Sequence, residues 1–284
     1  MRLTGYLIEK YNSMGNAYTC RRLVEEAEKL DMDLRIVGVH DTLVCKDGVF
    51  NAGEKLERRN FAINRYKWGH LKEELNGLSR RSYNPLEAYN RYINKYEQVK
   101  RLRSGAFEIP DYILGTSLND FETICSKLGL PFVAKGLESS MGQEIVLIES
   151  EDDFRSLSGK YSPEKEWLFE AFIEESRGRD MRIYSIRGAA AAGMIRSSSS
   201  DFRANVALGA DVKKMELTED IQRIAADIYE QTGLDFLGID LLFGREKPYL
   251  CEINVMPGIE GIERASGQNI AGKIMETVRG DFCG

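Results

Sequence analysis

Three side chains with oxygen atoms suited to metal binding interrupt an apolar stretch near the end of the chain. Residues 236–255 form two aliphatic runs around a short polar turn with glycine and proline, a pattern typical of an antiparallel hairpin. Glu252 and Asn254 share a strand face because strand side chains alternate, and Asp240 lies opposite Glu252 if the chain reverses near Glu246. Two carboxylates and an amide suit Mg²⁺. The spacing predicts a magnesium site, although acids on an exposed sheet edge would give the same pattern.

A lysine at the end of an apolar run suggests that an anion binds nearby. Lys135 closes the run PFVAK (131–135), and a buried lysine is unfavourable unless an anion pairs with it. A phosphate group would meet that need. The turn that follows at 138–142 could then fold over the phosphates with its backbone N–H groups pointing inwards. This pattern predicts a nucleotide lid.

Two arginines and an amide follow in the next third of the chain. Arg196 comes directly after a predicted hairpin (181–195), and Arg203 lies beyond a run of four serines. Their guanidinium groups suit phosphate, acyl phosphate or a substrate carboxylate, and Asn205 can donate to the same oxygens. An active-site flap is one interpretation of this arrangement. A flexible, low-complexity loop with solvated arginines is the alternative.

The elements that position these residues alternate between strand and helix in the first third of the chain. Strand-like runs occur at 2–9, 34–39 and 60–65. Helix-like runs follow the first and the third of them, at 17–30 and 67–77. Such alternation favours a parallel sheet with helices on its faces. Neither G-x-G-x-x-G nor G-x-x-x-x-G-K-[ST] occurs, so the sequence lacks a Rossmann fingerprint and a P-loop.

The remaining two thirds combine helices with strands and hairpins. Apolar residues recur there at helical spacing in four segments, and short apolar runs separate them. We expect helices at 82–102, 117–128, 219–231 and 262–278.

The amino-acid composition and net charge argue against several classes of function. With 284 residues and a net charge of −6, the chain gives no reason to expect a nucleic-acid partner. No apolar run approaches the ~20 residues needed to span a bilayer, and the N-terminus lacks the apolar core of a signal peptide. The five scattered cysteines predict reduced thiols in a cytoplasmic protein. With only two histidines, histidine-centred catalysis is not expected.

The string EINVMPGIEGIERASGQNIAGKI (252–274) resembles the terminal motif of RimK-type ATP-grasp ligases. In that family an acid and an asparagine two residues apart precede Pro-Gly, Gly-Ile-Glu and a helix that begins near an Ile-Ala pair. The resemblance implies an α+β ATP-grasp fold within the α/β class, in which a small N-terminal parallel α/β domain precedes two α+β subdomains that sandwich the nucleotide. The implied boundaries are 1–90 for the first domain, 91–172 for the lid subdomain and 173–284 for the subdomain with the metal site.

The resemblance also implies roles for individual residues. Lys95, fifteen residues before Pro110, matches the first phosphate-contacting lysine, although a lysine on a polar helix is otherwise solvated surface. The run WLFEAFI (167–173) matches the adenine-binding strand, whose alternative is an aromatic core strand, and Asp180 matches the acid that holds the ribose. The implied nucleotide contacts are Lys95, Lys135, Ser140, Gly142, Glu170, Ala171, Phe172 and Asp180, and the implied catalytic residues are Arg196, Arg203 and Asn205.

The chain departs from the family pattern in and near the lid. Ser139, Ser140 and Glu144 stand where glycine is common, and Asn94 stands where the family carries aspartate. An acid beside a triphosphate is unfavourable unless it points away or meets a metal. These departures bear on the geometry of the lid.

The resemblance implies an ATP-dependent carboxylate–amine ligase that forms an amide bond through an acyl phosphate. ATP and Mg²⁺ are the expected cofactors, with two ions bound and Mn²⁺ as a substitute. One substrate is expected to be an amino acid such as glutamate and the acceptor a metabolite, a peptide or a carrier protein, with neither nucleic acid nor membrane as a partner; a homo-oligomer is left open. Two alternatives remain: a small-molecule kinase of the same fold and an ATP-binding regulatory protein without turnover.

Overall fold

The first part of the chain forms a parallel sheet with helices on its faces. The computed structural model describes residues 2–139, 144–204 and 211–283, apart from the Asn16 side chain. The elements up to Tyr83 are β1 (Leu3–Glu9), α1 (Tyr18–Lys29), β2 (Met32–Gly38), β3 (Thr42–Cys45), β4 (Gly48–Asn51), β5 (Glu54–Lys55), β6 (Arg59–Asn64), α2 (His70–Gly77) and β7 (Ser79–Tyr83). Strand order in the parallel sheet is β2-β1-β6-β7, and β3, β4 and β5 form a small antiparallel sheet.

A second sheet, antiparallel throughout, occupies the middle of the chain. Its strand order is β10-β9-β11-β8, and an aromatic cluster that includes Phe132, Phe154 and Trp167 fills the space between the sheet and its helices. The elements are α3 (Leu86–Tyr92), α4 (Lys95–Arg101), β8 (Tyr112–Thr116), α5 (Phe121–Leu128), β9 (Phe132–Gly136), β10 (Ile145–Ile148), α6 (Glu151–Lys160) and β11 (Glu166–Ala171).

The prediction of a single helix over 82–102 is wrong. Its first residues end strand β7, and two short helices follow. Pro85 stands at the N-cap of α3, and the Asn94 side chain caps α4 by accepting a hydrogen bond from the Tyr96 amide at 2.9 Å. An asparagine cap satisfies amide groups that a helix start leaves unpaired, so the chain starts a new helix there.

The third sheet is antiparallel and contains the predicted hairpins. The strand order is β14-β13-β12-β15-β16. The elements are β12 (Arg179–Ile186), β13 (Ala189–Ser197), β14 (Asp211–Lys214), α7 (Glu219–Thr232), β15 (Phe236–Leu242), β16 (Tyr249–Asn254), α8 (Glu260–Ser266) and α9 (Ile270–Gly280). The helix predicted over 262–278 is two helices, because Gly267 adopts a left-handed conformation (φ 70°) that ends α8, and Asn269 caps α9.

The first and third sheets share a hydrophobic core. Residues from α1, β1 and β6 pack there with residues from β12, β13 and α9. Across the same boundary, the Asn84 side chain bonds to the Phe236 amide and to the Val255 carbonyl, at 2.7 and 2.9 Å. The region before the lid therefore holds the hairpin β15–β16 in place. The sheets confirm the predicted parallel α/β region followed by two α+β regions, and no helix in the described ranges is long and apolar enough to cross a bilayer.

Candidate active site

The hairpin β15–β16 brings the three predicted metal ligands together. Asp240 lies opposite Glu252 and Gly238 lies opposite Asn254, so the register expected from the sequence is confirmed. Leu241 then pairs with Leu250, which leaves Cys251 as an extra residue in β16. Such a bulge bends the strand and changes the direction of neighbouring side chains. The polar residues of the hairpin thus lie at an irregular point of an otherwise regular sheet.

Two arginines neutralise the Asp240 carboxylate. Arg182, on the adjacent strand β12, donates to both oxygens at 2.5 Å, and Arg196 on β13 lies 2.9 Å from Oδ2. Burial alone would raise the pKa of Asp240, but the Arg182 and Arg196 guanidinium groups outweigh it and lower the pKa to about 2. Arg196 also forms two hydrogen bonds to Asp180, at 2.6 and 2.7 Å, and burial raises the pKa of that carboxyl to about 6 despite the arginine. Asp180 and Asp240 are therefore linked through a shared buried guanidinium group.

Replacing Asp240 with asparagine is expected to lower the free energy of unfolding by about 3–5 kcal/mol, because it leaves the largely buried Arg182 without its carboxylate and removes one of the two carboxylates that pair with Arg196. Since the Asp240 pKa falls from 3.8 to about 2, the wild-type advantage is complete above pH ~4 and shrinks as the pH falls towards about 2. Urea unfolding at several pH values measures the loss of stability and its dependence on pH. Glu175→Gln, which breaks an exposed pair with Arg245, is the control and is expected to leave the stability close to that of the wild type. Equal stabilities of Asp240→Asn and wild type would contradict the role assigned to this carboxylate.

Two lysines reach the hairpin from the second sheet and its preceding helix. Lys95, the first residue of α4, is buried and its Nζ lies 2.6 Å from the Ser139 carbonyl and 3.3 Å from Glu252 Oε2. Lys135, on β9, forms a buried ion pair with Glu170 and donates to the Cys251 carbonyl at 3.3 Å. Both predicted phosphate-binding lysines thus lie against strand β16.

The ion pair of Lys135 contains an unsatisfied acceptor. Burial lowers the pKa of Lys135, but the Cys251 sulfur and the Glu170 carboxylate more than compensate, so the net pKa is raised and the lysine stays charged. Glu170 is 2% exposed, and its second oxygen, Oε1, has no hydrogen-bond partner in the described structure. A buried acceptor without a partner costs free energy, so a donor from a ligand would stabilise this site.

The other residues predicted to bind adenine and ribose follow Glu170 in the chain. The Ala171 amide bonds to the Asp111 carbonyl at 2.9 Å. The Phe172 ring packs edge-on against Phe202, with ring centroids 6.3 Å apart. Ala171 ends β11, Phe172 follows it, and Asp180 is the second residue of β12.

The predicted flap and lid are described in part. Arg203 bonds to Asp201 through two nitrogens, at 2.9 and 2.7 Å. Glu144, just before β10, forms an ion pair with Lys165, just before β11. Ser140, Gly142 and Asn205 lie outside the described residues, so their roles stay predictions.

The donor set fits a hard divalent cation. A carboxylate has about four lone-pair sites, so Asp240 can accept from both arginines and still contact an ion. Glu252 is the more open acid, with 27% of its side chain exposed. Asn254 Oδ1 accepts from the Met256 amide at 3.0 Å and keeps a second lone pair. The described residues hold no cluster of three or more His, Cys, Asp and Glu side chains placed for a metal, so the site depends on two acids, the amide and added phosphate or water oxygens.

A known protein family and several of its members are similar to this chain. The model of the RimK-like ATP-grasp domain matches residues 93–278, well over half of the chain. The chain belongs to this family. Its curated relatives include a probable alpha-L-glutamate ligase from Legionella pneumophila (strain Corby), 29% identical over 279 residues, which cover 92% of this chain and 91% of the relative.

Solved structures share the fold at low sequence identity. The D-alanine–D-alanine ligase from Bacillus anthracis complexed with ATP superposes with a TM-score of 0.72 at 16% identity, covering 99% of each chain. The ATP-grasp ligase PsnB complexed with a minimal precursor, Mg and ADP superposes with a TM-score of 0.70 at 14% identity, covering 99% of this chain and 98% of that one. The resemblance inferred from the motif is confirmed. At the level of the family, the findings support an ATP-dependent carboxylate–amine ligase.

Sequence reasoning missed Arg182 and the side chain of Glu170. Arg182 lies opposite Asp240 in the β12–β15 pairing, and Glu170 lies beside Lys135 through the β11–β9 pairing. A charged residue inside an apolar strand is the signal that could have found both.

Proposed function

We propose that this ligase forms an amide bond through an acyl phosphate, with an amino acid such as glutamate as one substrate. In the first step a carboxylate oxygen attacks the γ-phosphorus of ATP and ADP leaves. In the second step an amine nitrogen attacks the acyl carbon, loses a proton, and phosphate leaves. The name of the Legionella relative, probable alpha-L-glutamate ligase, supports the choice of amino acid.

The juxtaposition on strand β16 carries the proposal. Lys95 contacts Glu252, and Lys135 contacts the preceding residue, Cys251, so cationic groups converge on the acids of the hairpin. A phosphoryl-transfer site needs this combination, because positive charge must offset the phosphate oxygens while the acids hold a metal. Mg²⁺, when bound by Asp240, Glu252 and Asn254, supplies further charge neutralisation. We expect two ions and substitution by Mn²⁺.

Other residues of this chain bind and orient the reactants in the proposal. The unsatisfied Glu170 Oε1 accepts a hydrogen bond from the adenine amino group, and the backbone of Ala171 and Phe172 borders the ring. Asp180 binds the ribose hydroxyls. We assign the oxygens of the acyl phosphate to Arg196, Arg203 and Asn205, whose donor groups suit such an anion.

The function predicts that ADP release depends on both a carboxylate and an amine. We expect the purified chain, supplied with ATP, Mg²⁺ and pools of amino acids and short peptides, to release ADP at least ten times faster with both substrates than with either one. Mass spectrometry should then find a product heavier by one amino-acid residue. ADP release without an amine, together with a phosphorylated product, would identify a kinase instead. Nucleotide binding without phosphate release across the whole screen would favour a regulatory protein.

The proposal also covers domain organisation and compartment. We place the boundaries of the three domains after residues 90 and 172. The helices α3 and α4 pack with the third sheet, since Tyr89, Tyr92 and Leu102 lie in its core. We place the reaction in the cytoplasm, and the five cysteines, all free thiols, support that choice.

A further inference from the structure

A cavity lined by arginines lies at the amino-terminal edge of the first sheet, where the parallel strands β1, β6 and β7 begin. Its volume is about 390 Å³, and sites for small molecules commonly have about 300–1,000 Å³. We name it the arginine cavity, and its polar lining includes Arg2, Thr4, Arg58, Arg59, Asn60 and Arg80. No acidic side chain of the described residues lines it.

Asn60 presents an unpaired donor to the arginine cavity. Its side chain is buried, with 8% of the residue exposed, and Oδ1 accepts from the Thr4 amide at 2.9 Å and from the Thr4 hydroxyl at 3.2 Å. The Thr4 amide can only donate, so it fixes which end of the Asn60 side chain is oxygen. The other end, Nδ2, has no hydrogen-bond partner among the described residues. A largely buried donor without a partner costs free energy, so an acceptor from a ligand would stabilise this site.

The strand register holds a guanidinium group next to this donor. The pairing of β1 with β6 and of β6 with β7 places Thr4, Asn60 and Arg80 in one row across three strands. Side chains at equivalent positions of neighbouring strands project to the same face of a sheet. The backbone of the sheet therefore sets the spacing between the Asn60 amide and the Arg80 side chain.

Two of the four arginines are paired with acids and form part of the wall. Arg59 pairs with Asp33 at 2.6 Å and also donates to the Gly5 carbonyl at 3.1 Å, and its side chain is 16% exposed. Arg2 pairs with Asp31 at 3.4 Å. These two carboxylates offset the charges of the arginines that they contact.

The other two arginines, Arg58 and Arg80, have no such partner. Both are exposed, and neither forms an ion pair or a hydrogen bond with another residue in the ranges that the structure describes. Glu57, next to Arg58 in the chain, is exposed, lies outside the lining and pairs with neither arginine. Two unpaired positive charges therefore lie at the arginine cavity.

This set of groups matches a phosphate monoester better than a carboxylate. A phosphate monoester carries a charge of about −1.5 to −2 at pH 7, close to the charge of the two unpaired arginines, and it has three acceptor oxygens. Those oxygens can accept from Arg58, Arg80 and Asn60 Nδ2 together, whereas a carboxylate has one charge and two oxygens. All cations of the lining are arginines, whose planar fork fits phosphate. Leu78, also in the lining, offers an apolar contact to the organic part of such a ligand.

We propose that the arginine cavity binds a small phosphate monoester. The site is separate from the proposed reaction centre, which adjoins the opposite edge of the sheet, where Arg65 contacts the Pro257 carbonyl beyond β16. Strand β1 has seven residues between the two edges, and a rise of ~3.3 Å per residue separates them by about 20 Å. The ligand of the arginine cavity is therefore not a reactant of the ligase, and this proposal does not depend on the proposed function.

Calorimetric titration with glycerol 3-phosphate as the probe tests the proposal. The full chain is first saturated with Mg²⁺ and a non-hydrolysable ATP analogue, so that the phosphate positions of the nucleotide site are filled. We expect the ester to bind at least ten times more tightly than glycerate, which carries a carboxylate on a similar diol. Inorganic phosphate should bind more weakly than the ester, because it lacks the organic part that contacts Leu78.

Two double variants locate the binding site. Arg58→Gln with Arg80→Gln should weaken binding of the ester at least tenfold. Arg223→Gln with Arg279→Gln is the matched control, because it removes two exposed arginines that also lack an ion pair within the described residues. The control should bind the ester as the wild type does. Thermal unfolding followed by circular dichroism checks that both double variants are folded.

Several results would overturn the proposal. Binding of the ester that persists in the Arg58 and Arg80 double variant would place the ester elsewhere, and an equal loss in the control would reduce the effect to the overall charge of the protein. Glycerate or inorganic phosphate that binds as tightly as the ester would exclude a phosphate monoester as the preferred ligand. Absence of binding by the wild type at millimolar ester would exclude the site. Failure to bind the ATP analogue would count against the proposed function alone, because the comparison of the two double variants can be made without it.

Discussion

Replacing Glu252 with glutamine is expected to lower Mg²⁺-dependent ADP release by about 10²–10³-fold, the size of effect seen when one electrostatic contact to a transition state is lost. The change removes a negative charge from the proposed metal site and keeps the side-chain volume. The fold should tolerate it, because Glu252 is partly exposed and its ion pair with Lys95 is 3.3 Å long. Steady-state rates over a range of Mg²⁺ concentrations measure the effect, and urea unfolding checks stability.

A second glutamate on the same hairpin provides the matched control. Glu246 lies in the exposed turn between β15 and β16, so Glu246→Gln makes the same chemical change away from the site. We expect it to keep the wild-type rate and the wild-type Mg²⁺ dependence. Glu252→Gln with an unchanged Mg²⁺ dependence would remove Glu252 from the metal site. Glu252 is a cleaner test than Asp240, whose carboxylate also holds Arg182 and Arg196.

The geometry of the hairpin could be predicted from the sequence because its determinants are local. Alternation of side chains places Glu252 and Asn254 on one face, and a turn near Glu246 fixes the partner of Glu252 as Asp240. The burial of Lys135 is also local information, since an apolar run leads directly to it. These features need only the period of a strand and the position of a turn.

The partners of these charges could not be predicted, because they come from strands distant in sequence. Arg182 meets Asp240 across a pairing between strands 58 residues apart, and Glu170 meets Lys135 across another such pairing. Nothing in a single strand specifies which strand lies next to it. The break at Asn94 is different: the capping residue was present in the sequence, and the continuous helical pattern around it concealed the signal.

The row of rings that follows strands β1, β2 and β6 also depends on long-range pairing. Tyr11, His40 and Tyr66 are separated in sequence by at least 26 residues, and the parallel order β2-β1-β6 brings them to the same end of the sheet. Arg65, directly after β6, pairs with Glu9 and contacts the Pro257 carbonyl, so it links the first sheet to the segment that follows β16.

Replacing Lys135 with methionine is expected to lower the free energy of unfolding by about 3–5 kcal/mol, because it leaves the buried Glu170 carboxylate without its partner. Adding Glu170→Gln removes that charge and should restore most of the stability. ATP affinity should not recover, since the buried cation that we propose binds the phosphates is still missing. Affinity is therefore compared between the double variant and Glu170→Gln alone, by calorimetric titration of ATP with Mg²⁺, and a loss of at least tenfold is expected.

The pair of Lys165 and Glu144 on the same sheet is the matched control for Lys135. Their side chains are 26% and 31% exposed, against 7% and 3% for Lys135 and Glu170. Lys165→Met breaks an ion pair that solvent can compensate, so we expect a cost of at most about 1 kcal/mol in the free energy of unfolding. Equal ATP affinities for the double variant and Glu170→Gln would mean that the Lys135–Glu170 pair stabilises the fold without contacting the nucleotide. A loss confined to the variants at Lys135 would instead show that burial of this lysine prepares a cationic site for phosphate.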